Sequence, residues 1–328
     1  MSQLQSERTT TAKPGDQLDH YRLESLAAHD RGVATFKAKD LVANEFVAIE
    51  IPDPEIEADP VLFERFQREE EAGKALDHPG LIKVIGKHGG EPGRNPSYMV
   101  KEWFDGVSLR ELLANGKLAP EQAIHITASI CDVVEFVHSR GIVLLDVEPE
   151  HVVIGANGQI KLNHLGVTSK FGTRRLTFTK LSQIVGTSQY ISPEELKGQR
   201  VDARSDIYSI GLMLYEMLTG RLPFQGTGIY DRLSTPLIPP REIEPNIAPQ
   251  LQEVLYRALE SEPRSRYAHA REFGRDLTHL NEVGVADRPE VRDWKKKTRR
   301  QPKQFVLYVL IVLIPIAIFG LLLYLARH

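Results

Sequence analysis

The chain has 328 residues and 41% apolar content, enough for a buried core in one large domain or two modest ones. Its formal net charge is −3, but residues 292–328 hold eight of the 41 basic residues and one of the 44 acidic ones. The remainder is acidic, 33 basic residues against 43 acidic, which argues against nucleic-acid binding. The single cysteine, Cys131, excludes an internal disulfide framework and fits a reducing compartment; it lies in the apolar-periodic stretch 124–137 and reads as a core thiol.

Residues 1–20 are polar, show no signal-peptide pattern, and read as a flexible tail. From Tyr21 to about Glu102 the pattern predicts strands with one helix. Val33–Ala38, Glu45–Ile51 and Ser97–Trp103 are short and rich in apolar or β-branched residues. Val61–Leu76 has helical spacing at Val61, Phe63, Phe66, Ala72, Ala75 and Leu76. Helices are then predicted over 108–115, 119–139, 203–219, 248–259 and 267–281. Two β segments, Val152–Ile154 and Ile160–Leu162, flank Ala156-Asn157-Gly158, a hairpin signal. Residues 282–303 read as a linker containing a basic run (Arg292, Lys295, Lys296, Lys297, Arg299, Arg300, Lys303). Phe305–Ala326 then carries no charge and has Tyr308 and Tyr324 near its ends. As a helix it would be roughly 33 Å long, enough to cross a bilayer core, so a span over 304–326 is expected. The basic run before it places the preceding domain in the cytoplasm and suits anionic lipid.

Several motifs follow in a recognisable order. Phe66-Gln67-Arg68-Glu69 precedes Leu76-Asp77-His78-Pro79, and Val137-His138-Ser139-Arg140-Gly141-Ile142 leads into Leu144-Leu145-Asp146. Gly186-Thr187-Ser188-Gln189-Tyr190-Ile191-Ser192-Pro193-Glu194 is followed by Ser205-Asp206-Ile207-Tyr208-Ser209-Ile210-Gly211, and Glu262-Pro263-Arg264-Ser265-Arg266 comes late. This order resembles the protein kinase family, most closely the bacterial transmembrane Ser/Thr kinases, over about residues 21–281. The resemblance implies an α+β, bilobal fold: a small β-rich N-lobe over about 21–102 and a larger helical C-lobe over about 103–281, here with one C-terminal transmembrane helix. It also implies that Glu69 is the helix-C glutamate, that Arg266 pairs with Glu194, and that Asp206 braces the catalytic loop.

The chemical motifs depart from the family. Phe46-Val47-Ala48-Ile49-Glu50-Ile51 places Glu50 where the family's V-A-I-K lysine holds ATP phosphates. Ala28, Asp30 and Val33 fall on the three glycine positions of the phosphate loop, where backbone N–H groups must come close to the phosphates. Asp146 keeps the catalytic-base position. The lysine two residues on is Glu148, the metal-binding asparagine is His151, and D-F-G reads His164-Leu165-Gly166. Phosphoryl transfer rests on positioning and charge neutralisation, and magnesium prefers oxygen to imidazole. Each unit charge misplaced near 4 Å costs about 1–4 kcal/mol at effective dielectrics of 80 to 20. No cofactor is therefore expected, and these residues speak against magnesium-ATP.

Two arrangements are expected in the pocket. Lys101 falls at the gatekeeper position and would join Glu50 and Glu69 in one cluster; the alternative is that Lys101 reaches outward and Glu50 is solvated. His151 and His164 would face each other near Asp146, as two hydrogen-bonded histidines or as ligands of a transition metal such as zinc. Lys37 reads as a surface lysine, the alternative being a relocated phosphate-binding lysine. The activation segment carries Thr177 and Thr179, while Leu145 removes the arginine that would receive a phosphate. The sequence reading is thus a membrane-anchored pseudokinase that signals through protein partners, such as an active kinase or its substrate. An atypical active serine/threonine kinase using Asp146 is the alternative.

Overall fold

The computed structural model describes residues 12–88, 97–163, 169–170, 189–224, 233 and 236–286. The N-terminal part is an antiparallel sheet in the order β1-β2-β3-β4-β6-β5. Its strands are β1 (Gln17–Leu18), β2 (Tyr21–Asp30), β3 (Val33–Asp40), β4 (Phe46–Pro52), β5 (Val84–His88) and β6 (Tyr98–Glu102). In β3 alternate residues are buried, so Ala34, Phe36 and Ala38 point into a core with Leu23, Val47, Ile49, Ile51, Tyr98 and Val100. The residues between them are partly exposed on the other face, which is the period a half-buried strand requires.

Two helices follow β4, where one was predicted. The short α1 (Pro54–Ala58) carries Pro at its start, and α2 (Pro60–Ala75) is capped by Asp59, whose side chain accepts from the N–H groups of Val61 and Leu62. Phe66 of α2 packs with Val84 and Met99 on the far face of the sheet. With helix on one side and core on the other, β6 is buried on both faces from Tyr98 through Lys101.

The C-terminal part is helical: α3 (Leu109–Ala114), α4 (Pro120–His138), α5 (Pro193–Leu196), α6 (Ala203–Thr219), α7 (Pro240–Ile243), α8 (Pro249–Ala258) and α9 (Ala270–Thr278). Helix α6 is buried nearly all round and forms the centre of the core, with Ile207, Ile210, Leu214 and Met217 against Ile130, Val134 and Val254. A helix apolar on every face must be surrounded by others, as α6 is. Asp202 caps its start, and Gly220, with φ of 73°, closes its end.

Strands β7 (Gly106–Ser108), β9 (Val152–Gly155) and β10 (Ile160–Leu162) make a small sheet, with β9 and β10 paired antiparallel across the 156–158 turn. A second pair joins β8 (Ile142–Val143) to β11 (Ser169–Lys170). The two parts are stitched where Leu162 N–H donates to Gly80 O and Ile82 N–H to Leu162 O (2.8 and 2.9 Å). The expected membrane span over 304–326, the basic run and most of the activation segment lie outside the described residues. Among the described residues no helix is long and apolar enough to cross a membrane.

Candidate functional site

The cleft between the two parts is walled by β2–β4, β6 and the segment 144–151. On its upper wall the structure brings Glu50, Glu69 and Lys101 together. Lys101 Nζ lies 2.7 Å from Glu50 Oε2 and 2.5 Å from Glu69 Oε1, with all three side chains at most 5% exposed. It also donates to Asn163 Oδ1 at 3.3 Å. Burial opposes the charge on Lys101, but the two carboxylates outweigh it and hold its pKa above the usual lysine value. The register explains the meeting: Ala48 pairs with Lys101 and Glu50 with Met99, so strand neighbours deliver the cation beside Glu50.

On the lower wall, Asp146 and Glu148 share one cation, Arg31. One terminal guanidinium nitrogen donates to both Asp146 oxygens at 2.6 Å, and the other donates to Glu148. Burial disfavours the charge, but Asp146 and Glu148 overcome this and raise the arginine's pKa further. Arg31 sits at the tip of the β2–β3 hairpin, 115 residues before Asp146 in the chain. The sequence reading did not single it out. The only local signal was its place in the loop, beside Gly32, among the lost phosphate-loop glycines.

The expected repulsion of phosphate by unpaired carboxylates at 50 and 148 is not what the structure contains. Glu50 and Glu148 are not bare carboxylates awaiting a phosphate; each is neutralised from within the chain. Asp30 lies toward the mouth of the cleft, with its side chain 53% exposed and Oδ2 3.6 Å from His151 Nε2.

His151 is buried and donates from Nδ1 to the Asp146 carbonyl at 2.9 Å. Burial opposes its protonation, but Asp146, Asp30 and Glu148 outweigh that and raise its pKa to about 9. Asp30, Glu148 and His151 do place ligand atoms within 4.8 Å of one another, yet Arg31 already claims Glu148. His164 lies outside the described residues, so the expected two-histidine arrangement is not placed. Among the described residues of the cleft, Arg31 and Lys101 are each paired with two carboxylates, and one of the family's metal-ligand positions is the imidazole of His151.

The catalytic-loop scaffold is held from α6. Asp206 accepts from the N–H groups of Leu144 and Leu145 at 2.8 Å each, and from His138 Nε2 at 2.7 Å. Leu145 adopts φ of 60°, costly for a leucine, and two of these bonds bracket it. Its side chain packs with Val143 and Val201, an apolar contact where the family's arginine would stand. Arg266 donates to both Glu194 oxygens at 2.7 Å, a buried two-pronged pair. Burial pushes the Glu194 carboxyl up, but the bonds from Arg266 prevail and lower its pKa. Lys37 does not enter the pocket: its ammonium lies over the Phe46 and Trp103 rings (4.5 and 4.8 Å) and 3.6 Å from Asp105. Arg110, also not anticipated, links Glu150 and Glu216 at 2.7 and 2.8 Å.

Comparison with known proteins agrees with this architecture. The protein kinase domain model matches residues 32–275. The serine/threonine-protein kinase PknB of Mycolicibacterium smegmatis is 34% identical over 279 residues, 83% of this chain and 45% of that protein. A probable serine/threonine-protein kinase of Streptomyces coelicolor is 35% identical over 264 residues, 78% of this chain and 39% of that protein. The chain thus spans less than half the length of these relatives. The crystal structure of a cysteine-to-alanine mutant of the Mycobacterium tuberculosis PknI kinase domain superposes with a TM-score of 0.65 at 22% identity, covering 83% of this chain and all of that one. Its two-lobed fold is the one described above, with a β-rich N-lobe and a helical C-lobe. On the extent of the domain match and the identity to these relatives, the chain belongs to the protein kinase family.

Proposed function

We propose that this chain is a kinase-fold signalling protein that works through protein contacts, with little or no phosphoryl transfer of its own. The observation that carries the reading is the cleft's internal charge pairing: Arg31 spans Asp146 and Glu148, and Lys101 spans Glu50 and Glu69. A nucleotide would need these cations and would have to take them from buried carboxylates, at a cost of several kcal/mol per stranded charge. The shape of a closed lobe pair survives without catalysis, and a folded surface suffices for binding partners such as an active kinase or its substrate.

A second reading is an active serine/threonine protein kinase that transfers the ATP γ-phosphate to protein. Two observations favour it: the relatives are named serine/threonine-protein kinases, and Asp146 keeps the base position. The relatives' names support this reading better than the first and go against the expectation of no cofactor.

The two are separated by thermal denaturation of the full chain in detergent with millimolar ATP or ADP, with and without magnesium or manganese. The first reading expects no shift. A metal-dependent shift, with radiolabel transferred to casein or to the chain itself and lost in Asp146→Asn, would establish the second. We also place the chain at a membrane, single-pass, with the kinase-like domain cytoplasmic, on the uncharged segment Phe305–Ala326 and the basic run before it. Recovery of the whole chain in the supernatant after alkaline extraction of membranes would overturn that placement.

A further inference from the structure

The β2–β3 hairpin tip is unusual in being fixed on one side of the cleft and bonded on the other. Its turn is two residues, Arg31 and Gly32, both at positive φ (47° and 79°), between the paired Asp30 and Val33. Positive φ at both central positions is the pattern of the tight turn that matches strand twist. Gly32 is held close to the N-lobe: a Cβ there would lie 2.8 Å from Ile56 Cγ1. Gly32 O accepts from Asp53 N–H at 2.7 Å. The Asp53 carboxylate in turn accepts from His29 Nε2 at 2.9 Å, tying it to the end of β2. The tip is thereby anchored to α1, so a pull on Arg31 is a pull on the whole N-lobe.

The other end is anchored as firmly. Asp146 belongs to a loop bonded to Asp206 of α6 at Leu144 and Leu145, and to His151 through its carbonyl. Arg31 joins these two anchored frames, with Asp30 of the same tip 3.6 Å from His151 beside it, and the Arg31 side chain is 17% exposed, against 5% and 6% for Asp146 and Glu148.

We propose that Arg31 is an interlobe latch, an internal guanidinium ligand of the Asp146–Glu148 pair that holds the lobes closed and occupies the cleft from within. The contact is autoinhibitory in the plain sense that any other cation or ligand must displace Arg31 to reach Asp146. A guanidinium suits the role because its two terminal nitrogens reach two carboxylates at once, which a single ammonium cannot do with equal geometry. The proposal stands on this geometry and holds under either reading of function. In an inactive module the latch keeps the binding shape. In an active kinase it would have to open before the base could work.

The test is amide hydrogen exchange on the full chain in detergent, comparing wild type with Arg31→Ala. The expected result is a rise of about tenfold or more in exchange over both 28–34 and 145–152, with 205–217 unchanged; tenfold corresponds to about 1.4 kcal/mol. Methylguanidinium at low millimolar concentration is expected to reverse the rise in Arg31→Ala, and not in Arg31→Ala combined with Glu148→Gln. No change in either segment, or a rise confined to 28–34, overturns the latch. Reversal that is equal with and without Glu148 overturns the assignment of the pair as a guanidinium site. If Arg31→Ala does not fold, Arg31→Lys is read in its place. Raised exchange in both segments then supports the latch, and raised exchange in neither overturns it.

Discussion

Replacing Lys101 with methionine tests the upper cluster most directly. The side chains match in length, so packing is nearly conserved, but the cation that pairs with both Glu50 and Glu69 is removed from a position 2% exposed. Two buried carboxylates are left facing one another, and breaking a buried ion pair by removing one partner costs about 3–5 kcal/mol. At about 2–4 °C per kcal/mol for a domain of this size, Tm should fall by about 6–20 °C. The like charges then raise the pKa of one carboxyl above its unfolded value. Stability lost to that repulsion is regained as the proton binds, so the gap from wild type should narrow as pH falls from 8 toward 5. Neutralising all three positions, Glu50→Gln, Lys101→Met and Glu69→Gln together, should recover most of the loss, since a buried triad can be replaced at little net cost. Thermal denaturation followed by circular dichroism at pH 8, 6.5 and 5 reads all of this. A Lys101→Met variant within about 2 °C of wild type at pH 8, with no pH trend, would mean that Lys101 does not hold the two carboxylates together.

Three further outcomes follow from the same structure. Asp206→Ala should cost about 3–5 kcal/mol in denaturant unfolding, because it strands two buried N–H groups and removes the carboxylate partner of His138; Asp202→Ala, which removes the cap on α6 and a partly exposed contact to Arg204, should cost about 1 kcal/mol. Glu194 has a folded pKa below its unfolded value, so its stabilisation is present above about pH 4.3 and is lost as pH falls through the folded pKa. Glu194→Gln should therefore lower Tm at pH 7 and flatten the acid limb of the stability curve. His151 has a folded pKa of about 9, above the unfolded value near 6.5, so its contribution is fully present below pH 6.5 and lost as pH rises through about 9. His151→Asn should remove the part of the Tm fall between pH 7 and 9.5 that belongs to this group, and an unaltered alkaline slope would contradict the burial and charges assigned to it.

Much of the architecture was legible from local pattern. Long helices with a clear apolar period, such as Pro60–Ala75 and Pro120–His138, announce themselves because one turn's spacing repeats over several turns. The Val152–Leu162 hairpin is carried by its Asn-Gly turn. The five-residue helix Pro54–Ala58 was not legible, since one turn and a half has too little period to read. Lys101 was ambiguous for a different reason. Strand β6 is covered on both faces, so the alternation that would say which way a side chain points is absent.

The residue types at each motif position are properties of the sequence alone: a carboxylate at 50, another at 148, a histidine at 151 and a surviving aspartate at 146. What the tertiary structure decided is how those charges are balanced. Electrostatic energy depends on distance and burial, and neither is encoded in spacing along the chain. Arg31 reaches Asp146 across 115 residues only because a tight turn, a close glycine and an anchored hairpin point it across the cleft. Lys101 joins Glu50 only through strand register, and Glu69 only through the packing of α2 against the sheet. A reading of residue types finds the missing cations, and the fold shows where the chain has put others in their place.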